Sequence, residues 1–170
     1  MKNLTKVHTW CFASGLDGYV SNQSVEMLQV CDAVRVTSKQ SSSTPGIKRN
    51  LSVQANTDYI LSVKGYSNRV NAFIWVMNKH TSQRLIPCYY YLGCQPCWKS
   101  YKFNTGCATN IDFGVLFTSP KIGDFMVLSE FELVRCDNNN NVCHPTTTVA
   151  NTHTTCAVPV KNTISTSSCN

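Results

Sequence analysis

A chain of 170 residues can bury one hydrophobic core and is too short for two of ordinary size. Only 14% of its residues are charged, and the excess of Lys and Arg (15) over Asp and Glu (9) is scattered, with no group denser than Lys48-Arg49 or Lys99 and Lys102. A net charge of +6 spread in this way argues against a nucleic-acid interface, and no apolar stretch is long enough to span a bilayer as a helix.

Taken in chain order, the strand signals begin where Val34 and Val36 alternate with Arg35 and Thr37. Tyr59, Leu61 and Val63 then share one face against Ile60, Ser62 and Lys64, and Phe73, Trp75 and Met77 alternate with Ile74 and Val76 in a strand apolar on both sides. Ile111, Phe113, Val115 and Phe117 follow, and finally Phe125, Val127, Phe131 and Leu133 are expected on one face with Glu130 and Glu132 on the other. A period of two places each set on one side of a sheet. Turn clusters separate the runs: Ser41-Ser42-Ser43-Thr44-Pro45-Gly46, Gly65-Tyr66-Ser67-Asn68 and Pro120-Lys121-Ile122-Gly123-Asp124. No amphipathic helix exceeds two turns, so the pattern predicts an all-β sandwich or barrel and excludes a helical bundle or a βαβ fold.

Ten cysteines stand at Cys11, Cys31, Cys88, Cys94, Cys97, Cys107, Cys136, Cys143, Cys156 and Cys169. An even number at this density leads us to expect a disulfide framework involving all ten. Residues 85–107 crowd four of them among Tyr89, Tyr90, Tyr91, Trp98 and Tyr101, which reads as a cysteine-pinned insertion. Residues 137–170 open on Asp137-Asn138-Asn139-Asn140-Asn141 and are poor in large apolar groups, so a sandwich over 1–136 followed by an extended, stapled tail over 137–170 is expected. Met1 to Val7 contains no apolar leader core, which sets the cysteine content against the start of the chain. Removal of a leader, or exit by lysis of an infected cell, would reconcile the two and give an extracellular or virion-surface location. Asn3-Leu4-Thr5, Asn22-Gln23-Ser24 and Asn50-Leu51-Ser52 are glycosylation sequons.

Several phrases occur in a familiar order. Phe12-Ala13-Ser14-Gly15-Leu16-Asp17-Gly18-Tyr19, Gly46-Ile47, Asn56-Thr57-Asp58-Tyr59-Ile60-Leu61-Ser62, Phe117-Thr118-Ser119-Pro120 and Glu130-Phe131-Glu132-Leu133 together resemble family 4/9 carbohydrate-binding modules over residues 10–135. The resemblance implies an antiparallel β-sandwich of jelly-roll type, binding of polysaccharide without catalysis, and in many members a structural calcium. Ala13 and Ser129 stand where that family carries acidic residues, and only Glu130 matches a ligand by position, so the expected complement of cofactors is none.

Catalysis has little to draw on. Glu130 and Glu132 point the same way from one strand and cannot oppose each other across a sugar. His8, His80, His144 and His153 form no spacing with a nucleophile. A four-thiolate zinc site at Cys88, Cys94, Cys97 and Cys107 is the one metal alternative to disulfides. The aromatic side chains are the binding candidates, because sugar rings stack on them while polar neighbours take the hydroxyls. Tyr66, Tyr90, Trp98 and Tyr101 are expected to contact a polysaccharide or a glycoprotein glycan, and Trp75 is expected in the core. The competing expectation is a structural coat or virion protein, in which the same sandwich packs against copies of itself or other coat proteins.

Overall fold

The computed structural model describes residues 4–16, 18–21, 24–41 and 44–136. It is all-β, as the alternation requires: β1 (Leu4–Cys11), β2 (Val20–Ser21), β3 (Val25–Val30), β4 (Ala33–Ser38), β5 (Gly46–Ser52), β6 (Asp58–Ser67), β7 (Ala72–Asn78), β8 (Tyr90–Tyr91), β9 (Cys97–Asn104), β10 (Asn110–Phe117) and β11 (Phe125–Cys136). A 3-10 turn, Phe12–Ser14, follows β1.

The strands form two antiparallel sheets. In the first the order is β3-β4-β11-β6-β9, with β1 also paired to β11; in the second it is β2-β5-β10-β7-β8. The long β11 organises the first sheet. Its residues 125–128 pair with β4, its residues 130–136 pair with β1, and its other edge runs along β6. The register shifts between Leu128 and Glu130, which leaves Ser129 as a bulge.

That bulge corrects one expectation. Phe125, Val127, Phe131 and Leu133 do not share a face: Met126, Leu128, Phe131 and Leu133 are fully buried in the core, whereas Phe125 and Val127 are half-buried on the outside. One extra residue reverses the alternation, so odd positions face outward before Ser129 and inward after it. A second correction concerns Gly65-Tyr66-Ser67, which continues β6 instead of turning, because Met126–Leu128 of β11 pairs with it.

Inward-facing side chains of both sheets meet in one core that includes Val34, Ile47, Leu61, Val63, Ile74, Val76, Ile111 and Phe113. The 3-10 turn and the Leu16–Tyr19 turn close one part of it. Phe12 and Tyr19 lie 5.3 Å apart, Tyr19 sits 4.9 Å from Phe131, and Trp10 sits 5.2 Å from Phe113. The Phe12-to-Tyr19 phrase therefore acts as an aromatic plug, which explains its place in the sequence by packing alone.

The cysteines do not form the expected framework. Cys88, Cys94 and Cys136 are disulfide-bonded, whereas Cys11, Cys31, Cys97 and Cys107 are free thiols. Cys143, Cys156, Cys169 and the whole 137–170 tail lie outside the described residues. Residues 97–104 form a regular edge strand, not part of an insertion, with Tyr101 and Phe103 facing the core. Cys97 opens that strand and Cys107 lies past its end. The seven steps of this eight-residue strand, at about 3.3 Å each, put about 23 Å between its ends, far beyond the ~7 Å between Cα atoms that a disulfide tolerates.

Candidate functional site

In a two-layer sandwich each strand has one face turned away from the core, so a strand apolar on both sides must present apolar surface outward. β7 is that strand. Ile74 and Val76 enter the core, leaving Phe73, Trp75 and Met77 on the outer face of the second sheet. In register across that face, Phe73 stands opposite Leu116 and Tyr91, Trp75 opposite Gly114, and Met77 opposite Asp112 and Arg84.

An aromatic group gathers at the β7 edge. The Phe73 ring meets Tyr89 edge-on at 4.6 Å and Tyr91 at 6.1 Å, while Tyr89 and Tyr91 stack at 6.1 Å with 26° between their planes. Phe73 is buried beneath these rings, but Tyr89 keeps 52% of its surface exposed. Trp75 is buried too, at 7% exposure, but on this outer face and not in the inter-sheet core where it was expected, and its indole N–H has no hydrogen-bond acceptor among the described residues. No side chain stands opposite it, since a methyl group at Gly114 would collide with the Ile47 carbonyl oxygen.

Polar groups flank the aromatics across the same face. Asp112 accepts from the Asn50 amide at 3.0 Å and from the Lys48 ammonium at 3.4 Å, and Ser52 lies 3.2 Å from Asn110. The result is a surface with a stacking edge on β7–β8 and a hydrogen-bonding strip on β5–β10.

The four aromatic residues expected to contact glycan do not converge. Tyr90 pairs with Ile74, and Tyr101 pairs with Leu61, so both point between the sheets, where their rings lie 4.2 Å apart. Burial, then the charge and hydroxyl of Tyr90, push the Tyr101 phenol above its ordinary value. Trp98 and Tyr66 instead lie on the outer face of the first sheet, opposite Lys64 and Val127. Most of that face is laced by ion pairs: Lys64–Glu130 at 2.8 Å, Lys6–Glu132 at 2.7 Å and Lys102–Asp58 at 2.7 Å. The sequence reading passed over Phe73, Tyr89 and Tyr91, although the doubly apolar pattern of β7 was the available signal.

Neither metal expectation fits the residues. Glu130 is engaged by Lys64, and Ala13 and Ser129 supply no carboxylate for calcium. The four-thiolate zinc group does not assemble, because Cys88 and Cys94 are oxidised and β9 separates Cys97 from Cys107. Among the described residues no group of three or more His, Cys, Asp or Glu side chains is placed to hold an ion.

No protein-family model matches the sequence, and no curated protein matches it. Solved structures do match the fold. The CBM22-1 xylan-binding domain from Paenibacillus barcinonensis Xyn10C is 11% identical, with a TM-score of 0.64 over 80% of this chain and 97% of its own. A CBM4 structure is 15% identical, with a TM-score of 0.58 over 73% of this chain and 99% of its own. The second N-terminal cellulose-binding domain of Cellulomonas fimi β-1,4-glucanase C is 14% identical, at 0.56 over 80% and 96%. The chain thus has the jelly-roll fold of these carbohydrate-binding modules, and the sandwich expected from the sequence is the one observed.

Proposed function

We propose that this protein is a non-catalytic glycan-binding module that takes polysaccharide across the outer face of its second sheet. The observation that carries this reading is the exposed Tyr89 stacked with Tyr91 over buried Phe73, beside the Asn50–Asp112–Lys48 strip. Flat aromatic surface held rigid by its neighbours favours stacking of a sugar's C–H face at little ordering cost, and the strip satisfies its hydroxyls. The structural similarity to xylan- and cellulose-binding modules supports the same ligand class, polysaccharide, and an extracellular setting accords with it.

The carboxylates support the absence of catalysis. Apart from Asp32, each described Asp and Glu is in an ion pair. A coat-protein role draws no support from these structural similarities. Trp98 and Tyr66 on the opposite face remain a second stacking surface by their half exposure. A glycan array run with the parent protein, Tyr89→Ala and Trp98→Ala separates the two faces. Loss of binding with Tyr89→Ala alone upholds the second-sheet site; loss with Trp98→Ala alone moves the site to the first sheet. Failure of the parent to bind any glycan overturns the reading.

A further inference from the structure

Arg84 stands in register opposite Met77, so its side chain joins the outer face of the second sheet. Its guanidinium carbon lies 4.6 Å from the centroid of the Tyr89 ring and 6.0 Å from that of Phe73. The residue is exposed, and among the described residues no hydrogen bond or ion pair engages its N–H groups. Stacking occupies the flat side of a guanidinium and leaves its donors in the plane, arranged as a fork that matches a carboxylate or sulfate bidentately.

The charge inventory points the same way. Lys48 on this face is paired with Asp112, and Lys6, Lys39, Lys64, Arg69 and Lys102 elsewhere are paired with carboxylates. Lys79, Lys99 and Lys121 are likewise without a carboxylate partner among the described residues, but of these cations Arg84 alone is held over the rings of the aromatic edge. Arg35 is stacked similarly, 4.0 Å from the Phe125 centroid, but on the opposite face of the sandwich.

We infer that the glycan taken by this face carries an anionic group, the carboxylate of a uronic acid or a sulfate ester, which Arg84 binds while an adjoining sugar ring stacks on Tyr89. This inference rests on the glycan-binding reading above and narrows its ligand from polysaccharide to acidic polysaccharide. The ring contact fixes the fork, so a bidentate bond forms without the ordering loss of a free arginine.

The test is calorimetric titration of the full chain with three probes. These are a xylo-oligosaccharide bearing glucuronic acid branches, the same molecule with its carboxyl groups reduced to alcohols, and a sulfated xylo-oligosaccharide. An anionic form should bind about tenfold or more tightly than the reduced one, as expected for a hydrogen bond to a charged group, and added salt should shrink that gain. Which anionic form gains identifies carboxylate or sulfate. Arg84→Gln should bring the ratio close to one, and Arg35→Gln should leave it unchanged. Equal binding of reduced and anionic forms overturns the inference while the glycan-binding reading stands. Lack of binding by all three, and by neutral cello-oligosaccharides, overturns both.

Discussion

Asp58 illustrates how single residues on the first sheet's outer face work. Hydrogen bonds from Lys102 and Asn104 hold its carboxyl below the ordinary 3.8, outweighing the opposing effect of partial burial. A depressed carboxylate contributes stability that is present above its unfolded value and lost as pH falls through the folded one. Stability should therefore decline below about pH 4 in urea titrations, and Asp58→Asn should flatten part of that decline, by a few tenths of a kcal/mol at so exposed a pair. The thiols give a second test at this scale. Alkylation of the native protein followed by mass mapping should modify exposed Cys11, Cys31 and Cys107 first and half-buried Cys97 more slowly. Cys88, Cys94 and Cys136 should react only after reduction. Protection of Cys11, Cys31 and Cys107 in the unreduced protein would contradict the free assignment.

The strand that carries most consequence is β11. Its bulge at Ser129 sets which side chains reach the core on either side of it. Deleting Ser129 would make Leu128 and Glu130 successive, matching their partners Gly65 and Lys64, and the restored alternation would keep Met126, Leu128, Phe131 and Leu133 facing the core. The deletion variant should therefore keep the near-ultraviolet circular dichroism of a packed core, and loss of that signal would show that the bulge itself is required. Ser129→Ala, which keeps the extra residue, should retain the signal as well. In the second sheet, β5 and β10 approach too closely at Gly114 for any side chain. Gly114→Ala should destabilise by about 1–3 kcal/mol in equilibrium denaturation. An unchanged midpoint would show that the strands separate freely there.

On the scale of the whole molecule, the sandwich presents two unlike outer faces. One is mostly ion-paired with Trp98 and Tyr66 near one end, and the other joins an aromatic edge to a polar strip. Tyr89→Ala should lower glycan affinity about tenfold by removing a central exposed ring, with little change in melting temperature, because Tyr89 is half exposed. Trp98→Ala, on the far face, should leave affinity within experimental error. Isothermal titration of both variants with the same oligosaccharide decides between the faces, and the reverse ranking would reassign the site.

Alternation along Tyr59–Val63, Ala72–Asn78 and Asn110–Phe117 was enough by itself to establish strands, because side-chain direction in a strand is a local property of the backbone. The absence of long helical periodicity likewise settled the all-β class, and the order of short phrases carried the jelly-roll expectation. What lay beyond the sequence was every property that depends on a partner strand. The parity flip at Ser129 arises from pairing with β4, β1 and β6 together, and no local pattern announces it. The separation of Cys97 from Cys107 follows from β9 lying extended along β6. The choice of Phe73 over Ile74 as the outward residue of β7 was equally closed to a reading of the strand alone, since both sides are apolar and only the other sheet supplies an inside. Tyr90 and Tyr101 turned inward for the same reason, leaving Tyr89 and Tyr91 at the surface. Local geometry determines that side chains alternate; which of the alternating sets meets solvent is decided by the second layer.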